Sequence, residues 1–203
     1  MRPFPLIALL LFAVEASASP FGVPDPRNST IPDIIRICPA GDLTQVVTVR
    51  DVNNSLLENT TVDLNFCACP SIVLCPPMSG DPYAIVGGCT VRVVTGPSGT
   101  AAFPIRGGGG CSTLVGVSAD GVILGNIRYV ASPDQDGSRV VDAADAAILT
   151  GKIGGSDRTG DLNDDGLVNN GDSAVLDLHL GHACANVTPT EGTTWGQLKG
   201  IYR

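Results

Sequence analysis

Apolar residues along this chain keep two different periods. From about residue 29 to residue 130 they come in short runs rich in β-branched side chains: IIRIC (34–38), VVTVR (46–50), TVDLNF (61–66), TVRVVT (90–95), TAAFPI (100–105), STLVGV (112–117) and GVILGNIRYV (121–130). Such side chains suit the pleated, half-buried surface of a strand. Gly, Pro and Asn fill the intervals, and VNNS at 52–55 and TGPSGT at 95–100 supply what tight reversals need. About seven strands at this spacing predict an antiparallel β-sandwich. Past residue 131 the period becomes helical. DAAILTGKIG (145–154) aligns with DSAVLDLHLG (172–181), so that Ile148, Leu149 and Ile153 match Val175, Leu176 and Leu180 27 residues later.

Each helical stretch follows an acidic run, and counting gives both runs one register. A calcium loop of the EF-hand type places oxygens at positions 1, 3, 5, 7, 9 and 12, position 7 through its backbone carbonyl, so that one turn of chain wraps an ion at about 2.3–2.6 Å. DLNDDGLVNNGD (161–172) supplies Asp161, Asn163, Asp165, the carbonyl of Leu167, Asn169 and Asp172, with Gly166 at position 6 for the sharp bend. The earlier run supplies Asp134, Asp136, Ser138, the carbonyl of Val140, Asp142 and Asp145. Val141 and Val168 occupy position 8, where an apolar residue ties paired loops together. The position-12 aspartates fall near a helix start, where the helix dipole favours a carboxylate. Solvated turns also use Asp, Asn and Gly, but a shared register with matching helices favours two calcium ions. The second loop is the stronger site. In the first, Arg139 replaces the glycine at a cost of roughly 1 kcal/mol, which Gly137 is expected to relieve, and Ser138 offers only a hydroxyl.

The ends and the cysteines set the compartment. MRPFPLIALLLFAVEASAS has a basic start at Arg2, an apolar run to Val14 and small residues at Ala16 and Ala18, the pattern of a secretory leader spanning residues 1–18. That run is about half the roughly 20 residues a membrane span needs, so no span is expected in the mature chain. Seven cysteines in an exported chain imply disulfides with one thiol left over, in a connectivity that spacing does not give. The formal charge is −8, and ten of the twenty acidic residues lie between Asp134 and Asp177. Nucleic acid and anionic lipid, which need basic surface, are excluded as partners; cations or basic partners are favoured. The tail, residues 185–203, ends with Trp195, Leu198 and Ile201 at helical spacing and is expected to dock as a short amphipathic segment.

Two resemblances sharpen the picture. VVTVRDVNNSLLENTTVDLNF followed by VRVVTGPSGTAAFPI resembles the bacterial Ig-like repeats of the invasin and intimin type, with Gly96 where that pattern has Asp. This implies an Ig-like sandwich over residues 28–130 that acts as spacer or adhesive module. The tandem loop-helix units resemble a type I dockerin from about Asn126 to Cys184, which implies an all-α module over residues 131–184 lacking the entering helix of a true EF-hand. That resemblance implies two calcium ions and a cohesin-like or cell-surface protein partner, often in polysaccharide-degrading assemblies, which brings carbohydrate into view. Cohesin contact in that family rests on loop positions 10 and 11, here Ala143 and Ala144, and Asn170 and Gly171, without the hydroxyl pair.

Other chemistry is thin. His179 and His182 stand near Cys184 but lack a fourth ligand at zinc spacing, and are expected to be helix-end residues. RGGGGC (106–111) lacks the Lys-Ser/Thr ending of a phosphate loop and reads as a flexible connection. A hydrolase using the sandwich would need paired carboxylates, and Asp51, Glu58 and Asp63 have no evident partner. The expectation is a mainly β, non-enzymatic, secreted protein.

Overall fold

A computed structural model describes residues 22–185. The leader and the tail segment carrying Trp195, Leu198 and Ile201 lie outside the described residues. The strands are β1 (Ile34–Arg36), β2 (Gln45–Thr48), β3 (Thr61–Asn65), β4 (Val73–Leu74), β5 (Ala84–Val86), β6 (Thr90–Val94), β7 (Thr100–Phe103), β8 (Gly107–Gly108), β9 (Val115–Ala119), β10 (Val122–Ile127) and β11 (Tyr129–Ala131). Two helices follow, α1 (Ala143–Lys152) and α2 (Asn170–His179). Every apolar run of the β region carries a strand. The last run splits at Arg128, whose N–H donates to the Asp33 carbonyl.

The main sheet is antiparallel in the order β10-β9-β3-β6-β5, and β2 pairs with β7. Alternation then decides what is buried. Val62 and Leu64, Val91 and Val93, and Val115 and Val117 pack in one cluster with Val47, Ala101 and Phe103 of the β2–β7 pair. On the opposite face of the sheet, Asp63 sits across from Arg92 in register, and the two form a bidentate ion pair at 2.7 Å. The architecture is therefore a mainly β region followed by a small two-helix module, as the two periods predict.

The two parts share a seam. Strand β1 runs parallel to β11, pairing Ile35 with Val130. Those two side chains enter the sandwich core. Their neighbours Ile34 and Ala131 point the other way, into a second cluster with Val141, Leu149, Leu162, Val168 and Leu176. One pair of strands thus serves two cores, and Arg36 adds a bond from its guanidinium to the Leu162 carbonyl. Disulfides join Cys67 to Cys89, Cys69 to Cys111, and Cys75 to Cys184, the last tying the end of the helical module to the β region.

The glycine run at 106–111 is no flexible connection. Gly107 and Gly108 form β8 against β4, and the Gly109 N–H donates to the Asp134 carbonyl at 2.6 Å. A methyl group at Gly108 would overlap the Asp134 carboxylate, and one at Gly109 the Ser71 carbonyl. Only a chain without Cβ atoms lets the first acidic loop come this close. Gly108→Ala is therefore expected to destabilise the protein by about 1–3 kcal/mol through overpacking. The control is Gly96→Ala, with nothing within 4 Å of the added methyl, which should stay within about 0.5 kcal/mol of the parent. Urea unfolding of the two variants checks the difference.

Candidate metal centres

Both acidic loops share one frame of hydrogen bonds to positions 1, 3 and 12. Asp142 and Asn169 cap α1 and α2, and Asp145 and Asp172 return the bond from the first turn as capping boxes. The position-12 carboxylate gathers three backbone N–H groups in each loop. Asp145 accepts from Gln135 (2.7 Å), Asp136 (3.2 Å) and Asp142 (2.8 Å). Asp172 accepts from Leu162 (2.7 Å), Asn163 (3.1 Å) and Asn169 (2.8 Å). Position 1 accepts from positions 5 and 6: Asp134 from Ser138 and Arg139, Asp161 from Asp165 and Gly166. Position 3 accepts from position 5, Asp136 from Ser138 and Asn163 from Asp165. Asp134, Asp145, Asp161 and Asp172 are fully buried, while Val141 and Val168 meet in the module's core.

Each loop bends at two left-handed residues, positions 4 and 6. These are Gly137 (φ 71°) and Arg139 (φ 74°) in the first, Asp164 (φ 62°) and Gly166 (φ 90°) in the second. Gly137 therefore does not relieve Arg139. Each loop has one glycine and one strained residue, and Asp visits this region more readily than Arg.

Their electrostatics differ. Asp134, Asp136 and Asp145 each bring an oxygen within 4.8 Å of the others. Burial raises the Asp134 carboxyl to about 6, opposed by the Arg139 N–H and reinforced by the Asp145 charge. The Ser138 N–H holds Asp136 below the usual carboxylate range. In the second loop Asp165 Oδ2 is taken by the amides of Asn163 (2.9 Å) and Asn169 (3.1 Å), and Arg158 lies 2.6 Å from Asp161. A cluster of three carboxylates forms in the first loop, where position 3 is Asp136; in the second that position is Asn163. Side-chain amides are both donor and acceptor, and here they turn their N–H groups toward the carboxylate.

A second group converges where the sequence shows none. Cys38 Sγ lies 3.6 Å from His182 Nδ1, which is 3.2 Å from Asp42 Oδ2; His179 Nε2 is 3.5 Å from the same oxygen. All four ligating atoms lie within 4.8 Å of one another. Cys184 is disulfide-bonded, and Cys38 is the free thiol. Only knowledge of the pairing singles Cys38 out, and only the fold brings Asp42 to the histidines. Burial pushes the Cys38 thiol up to about 12, the Ala40 backbone opposing and Asp42 adding to the rise. A thiol so held is no nucleophile at neutral pH. One ring nitrogen of His182 also faces both sulfur and carboxylate, whereas a relay needs one on each side.

The carboxylates weighed for a hydrolase are otherwise engaged. Asp63 is paired with Arg92, and Asp51 accepts the N–H groups of Asn53 and Ser55 in its own turn. Among the described residues no helix is long and apolar enough to cross a membrane.

No protein-family model matches the chain, and no curated protein matches it. A solved structure, the adhesin InvE of Yersinia pseudotuberculosis, is similar at 23% identity over 55% of this chain, with a TM-score of 0.25. The alignment covers 28% of the adhesin's chain. At that score the likeness decides nothing about function. The loops carry the argument.

Proposed function

We propose that this chain is a secreted, non-catalytic binding or scaffold protein in which two calcium ions clamp the helical module, residues 131–184, behind an Ig-like sandwich, residues 28–130. The observation behind this reading is the hydrogen-bond frame that recurs at a 27-residue offset, with the same donors on the same positions. Asp134, Asp136, Ser138, Asp142 and Asp145, with the Val140 carbonyl, would hold one ion. Asp161, Asn163, Asp165, Asn169 and Asp172, with the Leu167 carbonyl, would hold the other. The donor set is all oxygen, which suits a hard cation. Bound there, the ion neutralises carboxylates that otherwise repel within a few ångströms. The chain's own part is orientation: backbone N–H groups hold the inner carboxylate oxygens, and the position-12 aspartates link each loop to its helix.

A dockerin-like role, with a cohesin-like or other surface protein as partner, is the finer form of this proposal. Its contact surface would include Ala143, Ala144 and Asn170, which are exposed where the helices begin. Calcium-dependent capture by a cohesin module is the expected result if the chain docks in that way.

Calorimetric titration of the full oxidised chain with calcium should give a stoichiometry near two at pH 7. Metal affinity falls where a ligand must first lose a proton. Since Asp134 keeps its proton up to about pH 6 in the metal-free protein, affinity at the first loop should fall by about tenfold per unit below that pH. Asp165 is held low by the Leu167 N–H, so the second loop should keep its affinity further into acid. Helicity and melting temperature unchanged by exhaustive EDTA treatment would overturn the proposal.

A further inference from the structure

We infer that Cys38, Asp42, His179 and His182 form a zinc site that clamps the end of α2 to the turn after β1. The distances carry it. Tetrahedral zinc, with Zn–S about 2.3 Å and Zn–N or Zn–O about 2.0–2.1 Å, sets sulfur and nitrogen about 3.5 Å apart and nitrogen and oxygen about 3.3 Å apart. The protein places Cys38 Sγ 3.6 Å from His182 Nδ1, and Asp42 Oδ2 3.2 Å and 3.5 Å from the two ring nitrogens.

Orientation agrees. His179 Nδ1 lies 2.6 Å from the Val175 carbonyl, and a carbonyl only accepts, so Nδ1 carries the proton. In the neutral ring Nε2 is then free to ligate a metal beside Asp42, and the Nδ1–H bond to the Val175 carbonyl is the second bond that metal-ligating histidines usually make. Two neutral imidazoles, a thiolate and a carboxylate balance the charge of a zinc ion, the thiol proton leaving to solvent. Sulfur and nitrogen donors select zinc over calcium, so this site is chemically separate from the acidic loops.

Local structure fixes all four groups. Cys38 and Asp42 flank a turn closed by the Gly41 N–H on the Cys38 carbonyl. His179 ends α2, and His182 follows a turn in which its N–H donates to the His179 carbonyl. The strand segment at 105–107 lies between the anchors, since Ile105 and Gly107 bond Cys38 while Arg106 bonds Cys75. The metal and the Cys75–Cys184 disulfide would therefore act as neighbouring staples. With four protein ligands the site is closed, and its role is structural.

The test uses the full oxidised chain, stripped with a transition-metal chelator and held in excess calcium so that the loops stay filled. Cobalt(II) is expected to bind at one equivalent with a thiolate-to-cobalt charge-transfer absorption in the near ultraviolet, and one equivalent of zinc should displace it. Cys38→Ser should abolish that absorption. His182→Ala, at a partly exposed residue whose loss the fold should tolerate, should weaken binding by about a hundredfold or more. Cobalt binding without thiolate absorption, absorption that survives Cys38→Ser, or no binding at all would each overturn the inference. The last outcome would leave the two histidines as polar neighbours of Asp42 alone.

Discussion

Breaking the Cys75–Cys184 disulfide with paired serines is expected to lower the unfolding free energy by about 4–5 kcal/mol. The bridge joins residues 109 apart in sequence, and a cross-link over so long a loop removes about 4.7 kcal/mol of denatured-chain entropy. By the same reasoning the Cys67–Cys89 bridge, spanning 22 residues, is worth about 3.4 kcal/mol. The ranking has a structural side as well. The Cys184 N–H donates to the Arg139 carbonyl, the Val141 N–H to the His182 carbonyl, and the Gly181 N–H to the Val141 carbonyl. Residues 181–184 thus lie along the exit of the first acidic loop, and the disulfide holds them there. Mutating both cysteines avoids a lone thiol that could exchange. Urea unfolding under non-reducing conditions checks the value; a loss under about 1 kcal/mol would mean that burial at the β1–β11 seam holds the module without the staple.

What the sequence makes legible depends on the range of the interaction. The seven apolar runs and the helical repeat are local patterns, and each becomes an element. The acidic register is local too: a single turn of chain sets the contacts within a loop, such as Asp134 with Arg139 and Asp172 with Asn163. The side-chain surroundings of the second loop are less legible, because they turn on how the Asn163 and Asn169 amides rotate and on Arg158, a residue outside the register.

Long-range pairings stay hidden for the same reason. The short strands β4, β5 and β8 have two or three residues each, too few for an alternation to register. RGGGGC looks like slack chain because glycine serves both flexibility and close approach; only the position of Asp134 against Gly108 tells them apart. The Cys38 cluster joins residues 144 apart, beyond any spacing rule. Conversely, Ile34 and Ile35 look alike in sequence and enter different cores, because β1 presents opposite faces to the sandwich and the helices.

Asp172→Ala should cost about 3–5 kcal/mol even without metal, since it strands the N–H groups of Leu162, Asn163 and Asn169, each worth about 1–3 kcal/mol when left unpaired in the interior. Asp145→Ala strands three N–H groups likewise, but it also removes the like charge that helps raise Asp134. Its loss in metal-free protein should therefore be the smaller of the two. Asp172→Asn keeps one accepting oxygen and most of the shape, so its cost should fall between parent and alanine variant. Calcium separates structure from ligation. An ion at a hundred times its dissociation constant adds about 2.7 kcal/mol per site, so the parent should gain roughly twice what either alanine variant gains on calcium addition. Urea unfolding of the variants in EDTA and in saturating calcium measures both quantities together. If Asp172→Ala lost its stability in EDTA and yet kept the parent's full calcium increment, the carboxylate would be a structural cap alone, and the second ion would have to be sought elsewhere.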